Sequence, residues 1–122
     1  ALPRAQKLQA AAADYHFNWP DAGSVLAKLD EEIAELHEAV AGGDRHRIED
    51  ELGDVLFVAV NLARKLDLDA ETAMRRVNGK FIRRFQHVLD RMREEQQHFS
   101  PEQLERMEDY WREAKQLEKA LP

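Results

Sequence analysis

The sequence predicts an all-α domain of about five helices, on three observations. Apolar residues recur at helical spacing, as in Val25, Leu26, Leu29, Ile33, Leu36 and Val40. Glycine and proline are few, five and four in 122 residues, and they fall between the periodic segments. No stretch alternates apolar and polar residues as a half-buried strand would.

Each helix has its own justification. Arg4 to Tyr15, rich in Ala, Leu, Gln and Lys, reads as the first. The stretch FNWPDAGS, Phe17 to Ser24, is a loop. The second helix carries the stripe from Val25 to Val40 and ends at Gly42-Gly43, with Asp44 placed to cap the third. That third helix, about Arg45 to Lys65, carries the run Val55-Leu56-Phe57-Val58-Ala59-Val60. A helix apolar on every side predicts burial all round, in a bundle centre or a dimer interface. Asp69 caps a long fourth helix whose stripe is Phe81, Phe85, Val88, Leu89 and Met92. Ser100-Pro101-Glu102-Gln103 reads as a capped start for a fifth helix reaching about Leu121.

The bulk numbers bound the function. A chain of 122 residues suggests a single domain, residues 1–122, and one of this size buries roughly two thirds of its unfolded surface. A net charge of -6 argues against a nucleic-acid polymer or a membrane surface as partner. The absence of cysteine removes disulfides and thiolate metal sites and is compatible with the cytoplasm. No apolar run approaches the roughly 18 residues of a membrane span, and no signal-peptide pattern opens the chain. It begins at Ala1, as a processed chain or one cut from a longer protein would.

Carboxylates crowd the second and third helices. Glu38, Glu49 and Asp50 read as a solvated face. Glu32 and Glu35 share one helix face, and Glu51 and Asp54 share another. Across a tight Gly-Gly hairpin, the pairs Glu35–Glu51 and Glu32–Asp54 both centre on Gly43, so the four should meet at one level. Two unit charges about 4 Å apart repel by on the order of 1 kcal/mol in water and about 4 kcal/mol at intermediate dielectric. A divalent cation removes that conflict. All-oxygen ligands favour Mg²⁺, Mn²⁺ or Ca²⁺ over zinc or copper, and Mg²⁺ is commonly completed by substrate phosphates. A di-iron bundle would need Glu-x-x-His spacing, which no Glu in the core region of the first four helices has. Asn61, seven residues beyond Asp54, needs a polar partner: a structural hydrogen bond or a substrate.

The charge balance reverses from Arg75 to Arg93. Lys80 and Arg84 share a face, as do Lys80 and Arg83, and such cations either grip phosphates or pair with the acidic helices. Trp111 and Lys115 sit four apart, so Trp111 either packs in the core or stacks on a base. Trp19 has the same two readings.

Together these residues resemble the MazG family of nucleoside triphosphate pyrophosphohydrolases. The resemblance rests on Glu32-Ile33-Ala34-Glu35 and Glu51-Leu52-Gly53-Asp54, set in FNWPD, LAKLDEEIAEL, EDELGDVLFVAVNLAR and NGKFIRRF, and it covers nearly the whole chain. It looks closest to the C-terminal domain of two-domain bacterial MazG proteins. It implies a four-helix arrangement, a homodimer or dimer of dimers, and Mg²⁺-dependent hydrolysis of nucleoside triphosphates, tolerant of several bases, to monophosphate and pyrophosphate. Carried over by position, Glu32, Glu35, Glu51 and Asp54 are metal ligands, Lys80 and Arg84 contact phosphates, and Trp111 and Lys115 contact the nucleotide. Lys28 and Asn61 fall at positions often polar in the family. Glu35 or Glu31 would activate water. Gly79 departs from relatives that often carry Glu there. The rival readings are a narrow dUTP, dCTP or phosphoribosyl-ATP pyrophosphohydrolase and a non-catalytic helical interaction module.

Overall fold

The computed structural model describes residues 1–121, and all their regular structure is helical. The order is α1 (Leu2–Ala13), α2 (Ala22–Gly42), α3 (Arg45–Lys65), α4 (Ala70–Glu94), a 3-10 turn (Pro101–Gln103) and α5 (Leu104–Lys119). The chain divides into two compact units, Ala1–Ala73 and Met74 onward.

The first unit is built on the α2–α3 hairpin. The FNWPDAGS loop is shorter than its sequence suggests, because Asp21 caps α2 by accepting from Ser24 N at 2.7 Å and Ser24 Oγ at 2.9 Å. Gly43 ends α2 in the left-handed region at φ 79°, and Asp44 caps α3 through His46 N at 3.0 Å. Glu38 and Arg47 lie 3.8 Å apart across the turn, which fixes the hairpin as antiparallel. Val25, Ala39, Val58 and Val60 are buried in it. α1 is tied to α3 by Gln9, whose Nε2 donates to the Phe57 carbonyl at 2.8 Å.

The apolar run on α3 is only partly covered within one chain. Val58 and Val60 are buried, but Leu56 is 53% and Phe57 44% exposed, so the helix is not enclosed on every side within one chain. α1 and α2 pack against α3 without surrounding it, and Leu52 is also exposed.

In the second unit α4 and α5 pair antiparallel around Val88, Met92 and Tyr110, with Met107 and Trp111 against them. Arg91 bridges the helices, with Nε 3.2 Å from Glu113 and its guanidinium 4.9 Å from the Tyr110 ring centroid. His87 Nε2 meets Glu113 at 3.0 Å. Asp69 caps α4 as its position suggested, accepting from Thr72 N at 3.2 Å. Ser100 does not cap: its side chain makes no such bond, and Pro101 opens a 3-10 turn before α5 begins at Leu104.

Gly43 makes the hairpin turn testable. A Cβ there meets no atom within 4 Å, so the cost of Gly43→Ala is backbone strain alone. It should lower stability by about 1 kcal/mol in urea denaturation. An unchanged midpoint would mean the turn tolerates a right-handed residue.

Candidate metal centre and adjoining cavity

The hairpin brings three of the four predicted ligands together. Glu32, Glu35 and Glu51 each offer one carboxylate oxygen, and these lie within 4.8 Å of one another. Glu32 is only 7% exposed, Glu51 is half-buried and Glu35 faces solvent. Glu32 Oε1 is 3.2 Å from Lys28 Nζ, but Glu32 Oε2 and Glu51 Oε2 are buried without any hydrogen-bond partner. A buried carboxylate oxygen without a donor is costly, so the site is incomplete as protein alone. A hard divalent cation fits this oxygen-only donor set.

Asp54 stands outside the set of three. It is exposed and lines a cavity with Glu32 instead. Facing positions across a hairpin are fixed by numbering only to about a helical turn, and Asp54 falls within that tolerance. Glu31 is exposed and turned to Lys28 at 3.3 Å.

The neighbouring charge of Glu32 pushes the Glu35 carboxyl above the usual glutamate range. Hydrogen bonding to Glu32 and partial desolvation add to this, as does Glu51.

Beside the carboxylates lies a cavity of about 510 Å³. The loop after α1 contributes His16, Phe17 and Trp19 to its wall, and Lys28, Glu32 and Asp54 line it too. Asn61 and Arg64 of α3 and Gln9 of α1 also line it. Arg64 Nη2 donates to Asn18 Oδ1 at 2.6 Å and Asn61 Oδ1 at 3.1 Å, so it ties the aromatic loop to α3. This is the structural partner that buried Asn61 required. Sequence reading missed Gln9 and Arg64. Arg64 was detectable, three residues after Asn61 on the same face. Gln9 carried no signal in a segment that reads as a surface helix.

The remaining predicted residues belong to the second unit. Lys80, Arg83 and Lys115 are exposed. Arg84 is engaged by Glu118 at 2.9 Å. Trp111 takes the packing reading: it is half-buried, 5.4 Å from the Phe81 ring and against the Met92 core.

Comparison with known proteins now bears on this arrangement. Residues 21–89 match the model of the MazG nucleotide pyrophosphohydrolase domain. The chain belongs to the MazG family. The matched segment of this MazG domain holds all four predicted carboxylates with Lys28, Asn61, Lys80, Arg83 and Arg84, while Gln9, Trp111 and Lys115 lie outside it. The domain is 42% identical over 120 residues to the nucleoside triphosphate pyrophosphohydrolase of Escherichia coli K12, covering 97% of this chain and 46% of that protein. It is 36% identical over 115 residues to the Thermotoga maritima nucleoside triphosphate pyrophosphohydrolase/pyrophosphatase MazG, covering 94% and 44%. The chain thus spans a little under half the length of these relatives.

The raised Glu35 pKa gives the MazG domain a signed pH response. An acid titrating higher in the folded than in the unfolded state adds stability below its unfolded pKa. That stability is lost as pH rises through the folded value. The metal-free domain should therefore lose stability as pH climbs from the ordinary glutamate range through the raised Glu35 titration. Glu35→Gln should flatten that loss, and Mg²⁺ at neutral pH should raise the melting temperature of wild type more than of the variant. Identical metal-free profiles for both proteins would refute the coupling.

Proposed function

We propose that this MazG domain hydrolyses nucleoside triphosphates to the monophosphate and pyrophosphate with Mg²⁺, Mn²⁺ substituting, and accepts several bases. The observation that carries the reading is a carboxylate cluster with unpaired buried oxygens beside a cavity of nucleoside size. Printed names of the two relatives point the same way.

Glu32, Glu35 and Glu51 would hold the ion, with Asp54 at the cavity wall available to it. When bound, the cation lowers the pKa of water and neutralises charge on the leaving pyrophosphate. Glu35 is the base: of the three clustered carboxylates it is the one that faces solvent, where the attacking water arrives. Water oxygen bonds to one phosphorus of the α–β anhydride, the bridging P–O bond on the far side of that phosphorus breaks, and the departing phosphate group takes the electron pair, which leaves monophosphate and pyrophosphate. Glu31 holds Lys28 beside Glu32, which makes it a positioning residue in preference to the base.

The nucleoside end enters the cavity. Trp19 and Phe17 offer flat apolar surface there, and Lys28 and Asn61 offer polar groups. On α4, Lys80, Arg83 and Arg84 are the phosphate-binding cations, and Trp111 with Lys115 contributes to nucleotide binding by way of α5. The exposed Leu52, Leu56 and Phe57 support a homodimer, in which a second copy would cover them. No helix among the described residues is long and apolar enough to cross a membrane, and a cytoplasmic housecleaning role fits the substrate class.

The test is pyrophosphate release from the eight common NTPs and dNTPs, with Mg²⁺ and with EDTA. Release should require metal, extend across several bases, and fall at least about a hundredfold in Glu35→Ala, the upper end for groups that support a metal site. Turnover of one nucleotide alone would favour the narrow enzyme, and no turnover by folded protein would favour the interaction module. For the cavity, Trp19→Ala should raise KM for nucleoside triphosphates about tenfold, as loss of one base–aromatic stack does. Inhibition by inorganic tripolyphosphate, which has no base, should stay unchanged. Equal effects on both ligands would move the base elsewhere.

A further inference from the structure

The cationic face of α4 already holds an anion of the protein's own. Arg84 Nε lies 3.2 Å from both oxygens of Glu118, and Nη2 donates to Oε2 at 2.9 Å. This is the fork with which an arginine grips a carboxylate or a phosphate. The Trp111 ring sits against the guanidinium, 5.8 Å from its centroid, and holds the fork in orientation. The bond from Arg84 keeps the Glu118 carboxyl below its ordinary range, and the charges of Arg84, Arg83 and Lys80 reinforce it.

Three further features bear on this ion pair. Among the described residues Lys80 and Arg83 make no hydrogen bond or ion pair of their own, so three cations share one anion. At Gly79 a Cβ would meet Arg83 Nη1 at 3.4 Å, and the glycine leaves that guanidinium uncovered. Glu118 is also poorly placed on its own helix. It lies in the last turn of α5, where the helix dipole disfavours negative charge, so the α4 cations hold it there.

We infer that Glu118 is a resident substitute for substrate phosphate: it fills the Arg84 fork in the free chain and sets the threshold an incoming anion must exceed. The inference rests on the reading of Arg84 as a phosphate-binding residue given above. A tethered carboxylate acts at an effective concentration of about millimolar or more. Inorganic phosphate, with one phosphoryl group, gains too little from the fork to displace it. A triphosphate can engage Lys80, Arg83 and Arg84 together and does displace it. Glu118 thereby selects polyphosphates over the simple anions of the cell.

Glu118→Gln keeps the shape and removes the charge. KM for a nucleoside triphosphate should fall about two- to fivefold, the range of one partly exposed ion pair, and by more than any change in kcat. Inorganic phosphate at millimolar levels, without effect on wild type, should inhibit the variant competitively. An unchanged or raised KM in the folded variant, or equal phosphate inhibition of both proteins, overturns the inference. Arg84→Gln separates the two layers. If it raises KM while Glu118→Gln does not lower it, the Glu118 role alone fails. If Arg84→Gln leaves KM unchanged, the phosphate reading of Arg84 fails. Should Glu118→Gln not fold, Trp19→Phe leaves Trp111 as the sole tryptophan. Its emission should then shift on titration with inorganic tripolyphosphate but not with phosphate, and no shift overturns the inference.

Discussion

Carboxylates that a hairpin forces together repel, and the first unit is organised around that repulsion. The Gly43 turn and the Asp44 cap set the register of α2 against α3. That register delivers Glu32, Glu35 and Glu51 to one place, two of them with buried oxygens lacking any donor. A helix pair chosen for stability alone would put apolar or oppositely charged side chains at this level. Lys28 offsets part of the conflict from one side through Glu32. The raised Glu35 pKa records what is left of it. The same electrostatic tension weakens the metal-free hairpin and suits its oxygen-only donor set to a divalent cation.

The cavity beside the cluster depends on a second kind of constraint, polar cross-links between segments that sequence does not place together. Arg64 reaches from α3 to Asn18 and holds the aromatic loop against the helix. Gln9 reaches from α1 to the Phe57 carbonyl. These ties shape the cavity wall by fixing where the loop and α1 meet α3, so Trp19 and Phe17 become lining residues instead of a mobile cover.

Local signals in the sequence were reliable and long-range ones were partial. Helical periodicity and the Asp44 and Asp69 caps are set within a few residues, and all stand in the structure. The carboxylate cluster was legible because a hairpin with a tight turn has nearly one degree of freedom, its register. Even so, the register left Asp54 a step outside the trio. The Ser100 start looked like a cap, but Pro101 turned the chain into a 3-10 turn first, which a pattern of residue types does not distinguish. Gln9 and Glu118 were illegible because each acts through a partner far along the chain, at separations of 48 and 34 residues, and of Arg64 only the local pairing with Asn61 was legible, not its reach to Asn18 46 residues away. The exposed faces of Leu56 and Phe57 illustrate the converse: an apolar run specifies that a helix wants covering and leaves open what covers it.

Charge in this chain is therefore arranged in two opposite ways. In the α2–α3 hairpin an excess of anions faces too few cations, and the deficit suits a metal ion. On α4 an excess of cations faces the single carboxylate of Glu118, and that deficit suits a phosphate chain. A solvated surface helix would instead pair its charges locally at i, i+4 spacing, as Arg91 does with Glu95. Among the described residues Lys80 and Arg83 form no such pair, and Glu32 and Glu51 each keep a buried oxygen without a donor.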